Sequence, residues 1–181
     1  MSKVANLPNT YAFIDSQNLN LGTQKMGWKL DWRKFRQYLQ DEYGVTHAFM
    51  FIGYLAENQS MYEYLHEMGY LLVLKPTLDK KPAAETPEGE PEAPKPATKG
   101  NVDADLVLYA MKELPNYQKA IIVSGDGDFY GLIEYLIQQE KLLHVLAPNW
   151  QYSSLLKPFE SYVVRIDQMR RQLAYHDRKK K

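Results

Sequence analysis

Two carboxylates follow one short apolar run in the second half of the chain. Residues 121–129 read IIVSGDGDF, so that one glycine separates Asp126 from Asp128. A strand buried in a parallel sheet reads as a continuous apolar run, which makes residues 121–124 a candidate strand. Both acids are then expected at its carboxyl end, the edge at which open α/β sheets bind ligands.

A second apolar run delivers another acid in the same way. Residues 11–15 read YAFID, which places Asp15 at the end of a candidate strand, and Asn18 follows three positions later. Carboxylates that converge on one sheet edge repel one another unless a cation neutralises them, and hard cations such as Mg²⁺ prefer oxygen ligands. The pattern predicts a metal-dependent hydrolase.

The composition excludes several other kinds of site. The chain has 181 residues, 45% of them hydrophobic, which suits one soluble globular domain with a sizeable core. It has no cysteine, so disulfides, thiolate nucleophiles and cysteine-based metal sites are excluded, and its four histidines form no HExxH or HxH pair. No apolar run reaches the roughly 20 residues that a membrane-spanning helix needs, and the first ten residues lack the apolar core of a secretory signal. These features favour a cytoplasmic protein with no membrane partner.

Charge is distributed unevenly although the net charge is zero. Residues 165–181 carry seven Lys or Arg and two Asp, so the first 164 residues are net acidic by five. We expect residues 167–181 to form a basic C-terminal helix or tail. Such a tail could follow a phosphate backbone, or it could be a solvated helix end that keeps the protein soluble.

Apolar runs alternate with segments of helical periodicity along most of the chain. This alternation predicts a three-layer α/β/α sandwich, Rossmann-like, with a mainly parallel central sheet. Strands are expected near 11–15, 46–54, 70–75, 119–124, 142–147 and 162–166, and helices near 31–43, 58–69, 102–114, 129–140, 152–159 and 167–178.

One segment breaks this alternation. Residues 79–98 contain five Pro and four Ala among mixed charges, so they would bury too little apolar surface to offset the entropy of ordering, and we expect a disordered insertion. The insertion leads into KGNVDADLVLYAM, residues 99–111, in which Asp103 and Asp105 fall in the first turn of a predicted helix. Asp103 could cap that helix, or it could be a site residue beside a loop that grips the substrate.

Three motifs in this order resemble the NYN domain of the PIN-like nuclease superfamily, close to its LabA-like branch. They are FIDSQNL at 13–19, KGNVDADLVL at 99–108 and VSGDGDF at 123–129, and the resemblance runs from about residue 11 to about residue 166. It implies a single NYN/PIN-like domain over residues 1–181. It also implies a divalent-metal-dependent ribonuclease that hydrolyses RNA phosphodiester bonds with Mg²⁺ or Mn²⁺.

The resemblance also implies which acids hold the metal. The four candidates are the first-strand acid, the acid that opens the middle helix and the paired acids after the fourth strand: Asp15, Asp103, Asp126 and Asp128. Of these, Asp15 and Asp126 are expected to be direct ligands, whereas Asp103 and Asp128 are expected to bind through water or to position the nucleophile. Many relatives carry a further acid roughly where this chain has Tyr109, and Asp105 is expected to point to another side of the helix.

Four residues are candidates for contacts with the substrate. Asn18 and Ser124 could hydrogen-bond a phosphate or serve as ordinary turn residues. Lys99 could neutralise a phosphate or be merely solvated. Trp150 follows a predicted strand, where its ring could stack on an unpaired base or pack over a neighbouring loop. Tyr152 follows the same strand and should project from the same sheet edge, where its ring could also stack on a base. The expected partner is therefore RNA, in single-stranded form, and a homodimer or a protein partner stays open.

Two other functions stay open. A catalytically weak member of the family could use the acidic cleft for regulatory RNA binding. A small-substrate phosphatase could use Asp15 as a nucleophile, although such enzymes usually carry a second acid two residues later, where this chain has Gln17.

Overall fold

One parallel sheet organises the computed structural model, which describes residues 7–76 and 102–176. Its six strands lie in the order β3-β2-β1-β4-β5-β6, and every neighbouring pair is parallel. The strands are β1 (Thr10–Asp15), β2 (Val45–Tyr54), β3 (Tyr70–Pro76), β4 (Lys119–Val123), β5 (Leu142–Ala147) and β6 (Val163–Arg165). The helices are α1 (Ser16–Lys25), α2 (Trp32–Tyr43), α3 (Gln59–Glu67), α4 (Val102–Lys112), α5 (Tyr130–Gln138) and α6 (Arg170–Leu173).

Helices cover the sheet on both faces because its central strands are apolar throughout. All six residues of β1 are buried, and its side chains point alternately to two separate core clusters. Phe35 of α2 lies in the cluster that contains Ile14, whereas Leu106 of α4 and Ile133 of α5 lie in the cluster that contains Phe13. The predicted three-layer α/β/α sandwich is confirmed.

The strand order reverses between β1 and β4. From β1 the chain runs outward through β2 and β3, then returns through α4 to β4 and runs outward on the other side through β5 and β6. The carboxyl ends of β1 and β4 therefore form the topological switch point, where open α/β sheets leave a crevice for ligands.

Helix α1 was not predicted from the sequence. Its segment, SQNLNLGTQK, is rich in residues that favour turns and caps over helix interiors. It is helical because the Asp15 side chain accepts a hydrogen bond from the Asn18 N–H at its N-terminus, and because Leu19 and Thr23, one turn apart, are fully buried. This helix forms one wall of the site described below.

The C-terminal helix predicted over 167–178 is wrong at residues 174–176, which follow the last helical residue, Leu173. The chain forms a 3₁₀ turn over Ile166–Met169, followed by the short helix α6. Ala174 then leaves the helical conformation to form an antiparallel bridge with Leu30, and the Tyr175 N–H donates to the Lys29 carbonyl at 2.8 Å. Burial of Leu173 and this pairing outweigh continued helix formation.

Two of the predicted segments lie partly or wholly outside the described residues. The insertion at 79–98 does so completely, and so does the part of the basic tail after residue 176. The helix predicted at 152–159 is instead a 3₁₀ segment, Ser154–Tyr162, with a kink at Phe159. Within residues 7–76 and 102–176, no helix has the length and apolar character needed to cross a membrane.

Candidate metal centre and cleft

A cleft opens at the switch point between β1 and β4. The cavity has a volume of about 450 Å³ and lies at the carboxyl ends of the strands. Its lining combines the acids with residues of α1 and of the loop after β5: Asp15, Gln17, Asn18, Leu21, Gly22, Lys25, Val102, Asp103, Gly125, Asp126, Asp128, Pro148, Asn149, Gln151 and Tyr152.

Asp15 lies at the floor of the cleft with only 7% of its surface exposed. One carboxylate oxygen accepts the Asn18 N–H at 3.0 Å, and the other accepts the Ser124 hydroxyl at 3.3 Å. Burial raises the pKa of Asp15, and the nearby charges of Asp103 and Asp126 also raise it, whereas the two hydrogen bonds lower it. The ionised form of Asp15 is therefore destabilised in the folded protein, and a nearby cation would stabilise it.

We expect Asp15→Asn to stabilise the metal-free protein more at pH 7 than at pH 4. Because the pKa of Asp15 is raised in the folded state, its contribution to stability is complete below its unfolded pKa of about 4 and is lost as the pH rises through the folded value. Urea unfolding of both proteins in EDTA at the two pH values measures the difference. An equal difference at both values would contradict the prediction.

Asp126 and Asp128 belong to a short turn in which their backbone N–H groups donate hydrogen bonds to nearby side chains. The Asp126 N–H donates to the Ser124 hydroxyl at 3.1 Å, and the Asp128 N–H donates to the Asp126 carboxylate at 3.0 Å. Asn18 joins this turn to α1, because its side-chain oxygen accepts the Gly125 N–H at 2.9 Å. These bonds hold Asp126 half-buried and Asp128 exposed at the mouth of the cleft.

Asp103, on α4, lines the same cleft as Asp126 and Asp128. Helix α4 begins at Val102, so Asp103 already lies inside the first turn and not at the capping position. One carboxylate oxygen from each of Asp103, Asp126 and Asp128 lies within 4.8 Å of the other two. These three residues are called the acidic cluster below.

Among the described residues, the mutually close acids include one of the two expected direct ligands, Asp126, but not the other, Asp15. Asp15 was expected to be a direct ligand and Asp103 and Asp128 indirect ones, yet the mutually close set contains Asp103 and Asp128 and not Asp15. Asp15 instead accepts one hydrogen bond at each carboxylate oxygen, from Asn18 and Ser124. It lies beneath the cluster and supports the turn that carries Asp126.

Two other residues of α4 point elsewhere. Asp105 lies 3.4 Å from the Lys75 ammonium group, in an ion pair between α4 and β3. Tyr109 packs against Phe49 and Phe51 with ring centroids 5.9 and 5.5 Å away. Tyr109 therefore adds to the core face of α4 at the position where relatives were expected to carry a further acid.

The four expected substrate contacts have different surroundings. Asn18 lines the cleft, whereas Ser124 is 1% exposed and its hydroxyl is engaged within the turn, which is the turn role left open for it. Trp150 is 59% exposed and does not belong to the described lining of the cleft. Its neighbours Gln151 and Tyr152 line the cavity instead. Lys99 lies outside the described residues.

Several lining residues were absent from the candidates named in the sequence. Leu21 and Lys25 come from α1, and Asn149 and Gln151 come from the loop after β5. The buried pair Leu19 and Thr23, at helical spacing after a capping Asp, was the available signal for α1. No comparable local pattern marks the loop.

Comparison with known proteins agrees with this fold. The family model described as the NYN domain matches residues 9–166. Low amplitude and bright protein LabA of Synechococcus elongatus is 25% identical over 141 residues, covering 76% of this chain and 72% of that protein. The crystal structure of a protein of unknown function from Vibrio parahaemolyticus has the same fold, with a TM-score of 0.70 over 97% of this chain and 99% of that chain at 21% identity. Since the family model spans most of its length and includes all the described acids of the cleft, the chain belongs to the NYN domain family.

Proposed function

We propose that this protein is a divalent-metal-dependent ribonuclease whose centre is the acidic cluster. The observation that carries the proposal is the convergence of Asp103, Asp126 and Asp128, whose carboxylate oxygens lie within 4.8 Å of one another. They come from two separate elements that meet at the switch point of the sheet. Membership of the NYN family, within the PIN-like nuclease superfamily, supports hydrolysis of a nucleic acid.

The donor set suits Mg²⁺ or Mn²⁺. All three groups are carboxylates, which hard divalent cations prefer, and Asp128 is exposed so that water can complete the coordination. Three like charges this close repel one another, so a cation would stabilise the arrangement. Asp103, Asp126 and Asp128 would hold the ion, and Asp15 would add negative charge beneath it.

The chain's own residues prepare the site for phosphodiester hydrolysis. When bound, a divalent ion supplies an acidified water and stabilises negative charge on the phosphate oxygens. Asn18 and Ser124 fix the backbone of the acidic turn, so Asp126 and Asp128 keep their positions without reorganisation. The open cleft of about 450 Å³ gives an extended substrate room to pass the cluster.

The small-substrate phosphatase finds less support. An aspartyl nucleophile needs a free carboxylate oxygen that faces the substrate, but both oxygens of Asp15 accept hydrogen bonds and the residue is 7% exposed. A catalytically weak, RNA-binding protein would use the same cleft, and the assay below separates it from the enzyme.

Cleavage of a labelled single-stranded RNA tests the proposal. The wild type is incubated with Mn²⁺, Mg²⁺ or EDTA, and p-nitrophenyl phosphate is the small-substrate control. We expect RNA products with Mn²⁺ or Mg²⁺, none with EDTA and no release of nitrophenol. RNA that is bound but intact in every metal would instead support the regulatory function.

Metal binding is also expected to stabilise the fold. A ligand at 100 times its dissociation constant adds about 2.7 kcal/mol, which corresponds to a rise in Tm of roughly 5–10 °C for a chain of this size. Differential scanning calorimetry of the wild type with EDTA and with millimolar Mn²⁺ measures the shift. Asp128→Asn should lose most of it, and an equal shift in that variant would place the ion elsewhere.

A further inference from the structure

The cleft continues well beyond the acidic cluster. Leu21 and Lys25, one turn apart on α1, form one side of this extension, and Gln151 and Tyr152 of the loop after β5 form the other. The residues named here are called the distal half of the cleft. It begins at Tyr152, beside the acidic turn, and reaches Lys25 in the last turn of α1, and it contains apolar and aromatic side chains and a lysine.

The loop that carries Tyr152 is fastened at both ends. Asn149, 5% exposed, donates to the Gly22 carbonyl at 2.9 Å and accepts the Gln151 N–H at 2.7 Å. A side chain at Gly22 would collide with the Pro148 ring, so the glycine lets the loop lie directly against α1.

The other end of the loop rests on the acidic turn. The Ser153 N–H donates to the Gly125 carbonyl at 2.9 Å, and a Cβ at Gly125 would lie 3.1 Å from the Cβ of Tyr152. Tyr152 is therefore positioned directly beside the turn that carries Asp126 and Asp128. Tyr152 is half-buried, packs against the core cluster that contains Phe13 and lies in a loop anchored at both ends, so its side chain needs little ordering when a ligand binds.

Charge changes sign along the cleft. Asp15 caps the N-terminus of α1, and Lys25 lies in the last turn of the same helix. Arg170 adds a second cation near that end of α1, because its guanidinium donates to the carbonyl of Gly27, two residues after Lys25, at 3.2 Å. A polyanion that meets the acids and runs along α1 would therefore approach two cations.

We propose that the distal half of the cleft is a nucleotide subsite in which Tyr152 stacks on one base and Lys25 binds the adjoining phosphate. This inference rests on the proposed ribonuclease and defines its substrate as single-stranded. A base within a duplex has both faces covered by its neighbours, so it cannot present a face to Tyr152, whereas an unpaired base can. The strand then runs from the acidic cluster along α1 toward Arg170.

Binding measurements that do not depend on cleavage test the subsite. All variants are made in the Asp126→Asn background, and the dissociation constant of a fluorescent single-stranded RNA is measured by anisotropy at several salt concentrations. Stacking of one base contributes about 1–3 kcal/mol, so Tyr152→Ala should weaken binding by about 5- to 150-fold while Tyr152→Phe stays near the parent. A duplex of the same sequence should bind more weakly than the single strand and be insensitive to Tyr152→Ala.

The contribution of Lys25 is measured from the salt dependence of RNA binding, with Lys157 as the control. Lys25→Gln should reduce the slope of log Kd against log salt by about 0.7, the contribution of one phosphate contact on a single strand. Lys157→Gln removes an exposed lysine that does not line the cleft, and it should leave the slope unchanged. Because Lys25 is exposed, its replacement tests the subsite even if Tyr152→Ala lowers the stability of the fold.

The outcomes separate this inference from the proposed function. RNA cleavage by the wild type, with binding that neither Tyr152→Ala nor Lys25→Gln changes, would overturn the subsite and keep the ribonuclease. Binding that depends on both residues, without cleavage in any metal, would overturn the ribonuclease and keep the subsite. Equal affinity for duplex and single strand, or no measurable RNA binding, would overturn the subsite.

Discussion

Asp126→Asn is expected to abolish RNA cleavage while leaving the fold intact. The substitution removes one charge from the acidic cluster but keeps an amide oxygen that can accept the Asp128 N–H, so the turn should hold its conformation. Loss of one group that stabilises charge in the transition state typically lowers kcat by about 10²- to 10³-fold, and we expect at least that. Single-turnover cleavage in Mn²⁺, with circular dichroism of both proteins, measures the effect.

Asp105→Asn is the matched control for this substitution. Asp105 lies on the same helix as Asp103 and also loses one carboxylate charge, but it pairs with Lys75 outside the acidic cluster. Its cleavage rate should stay within about threefold of the wild type, since an exposed ion pair contributes little energy. Equal losses in both variants would show that bulk negative charge, and not the cluster, determines the rate.

Phe13→Ala is expected to cause the largest loss of stability among substitutions outside the site. Phe13 is fully buried on β1, stacked on Phe49 at 5.5 Å and edge-on to Tyr117 at 5.6 Å. Truncation of a buried Phe to Ala costs about 3–5 kcal/mol, a large part of the 5–15 kcal/mol that stabilises a typical domain. Urea unfolding followed by far-UV circular dichroism measures the change.

An exposed leucine provides the comparison for Phe13. Leu108 lies on α4 and is 53% exposed, so Leu108→Ala should change the free energy of unfolding by no more than about 0.5 kcal/mol. Phe13 lies in the core and does not line the cleft. Phe13→Ala should therefore lower cleavage only at temperatures where the domain begins to unfold. A loss of cleavage well below that temperature would mean that Phe13 contributes to the site directly.

Much of the fold could be predicted because the signals are local. Continuous apolar runs marked the six strands of the sheet, and all six were placed within one residue of their observed bounds. β6 is shorter than expected, three residues, because its segment pairs only with the end of β5. The helix α2 was predicted closely, because its apolar stripe faces the core and Asp31 caps it.

The two helix predictions that failed did so for different reasons. Helix α1 has weak helix-forming residues, and its stability comes from the Asp15 cap and the burial of Leu19 and Thr23, which helix propensity does not report. The C-terminal helix stops early because Ala174 pairs with Leu30, more than 140 positions earlier in the chain.

In the site, too, some features follow from the sequence and others from tertiary contacts. The sequence alone determined which acids could meet, because Asp15, Asp126 and Asp128 follow strands and parallel strands of one sheet end at the same edge. Tertiary structure decided their positions: Asp15 is buried and bonded to Asn18 and Ser124, while the crossover through α4 brings Asp103 close to Asp126 and Asp128.

Tertiary structure alone also decided which aromatic residue faces the cleft. Trp150 and Tyr152 were equivalent in the sequence, since both follow β5 within a few residues. Asn149 and Gly125 anchor the loop so that Tyr152 lines the cavity and Trp150 is exposed to solvent. The reason is physical: residue type and spacing define the chemistry available at a sheet edge, but the direction of each side chain depends on packing between segments far apart in the chain.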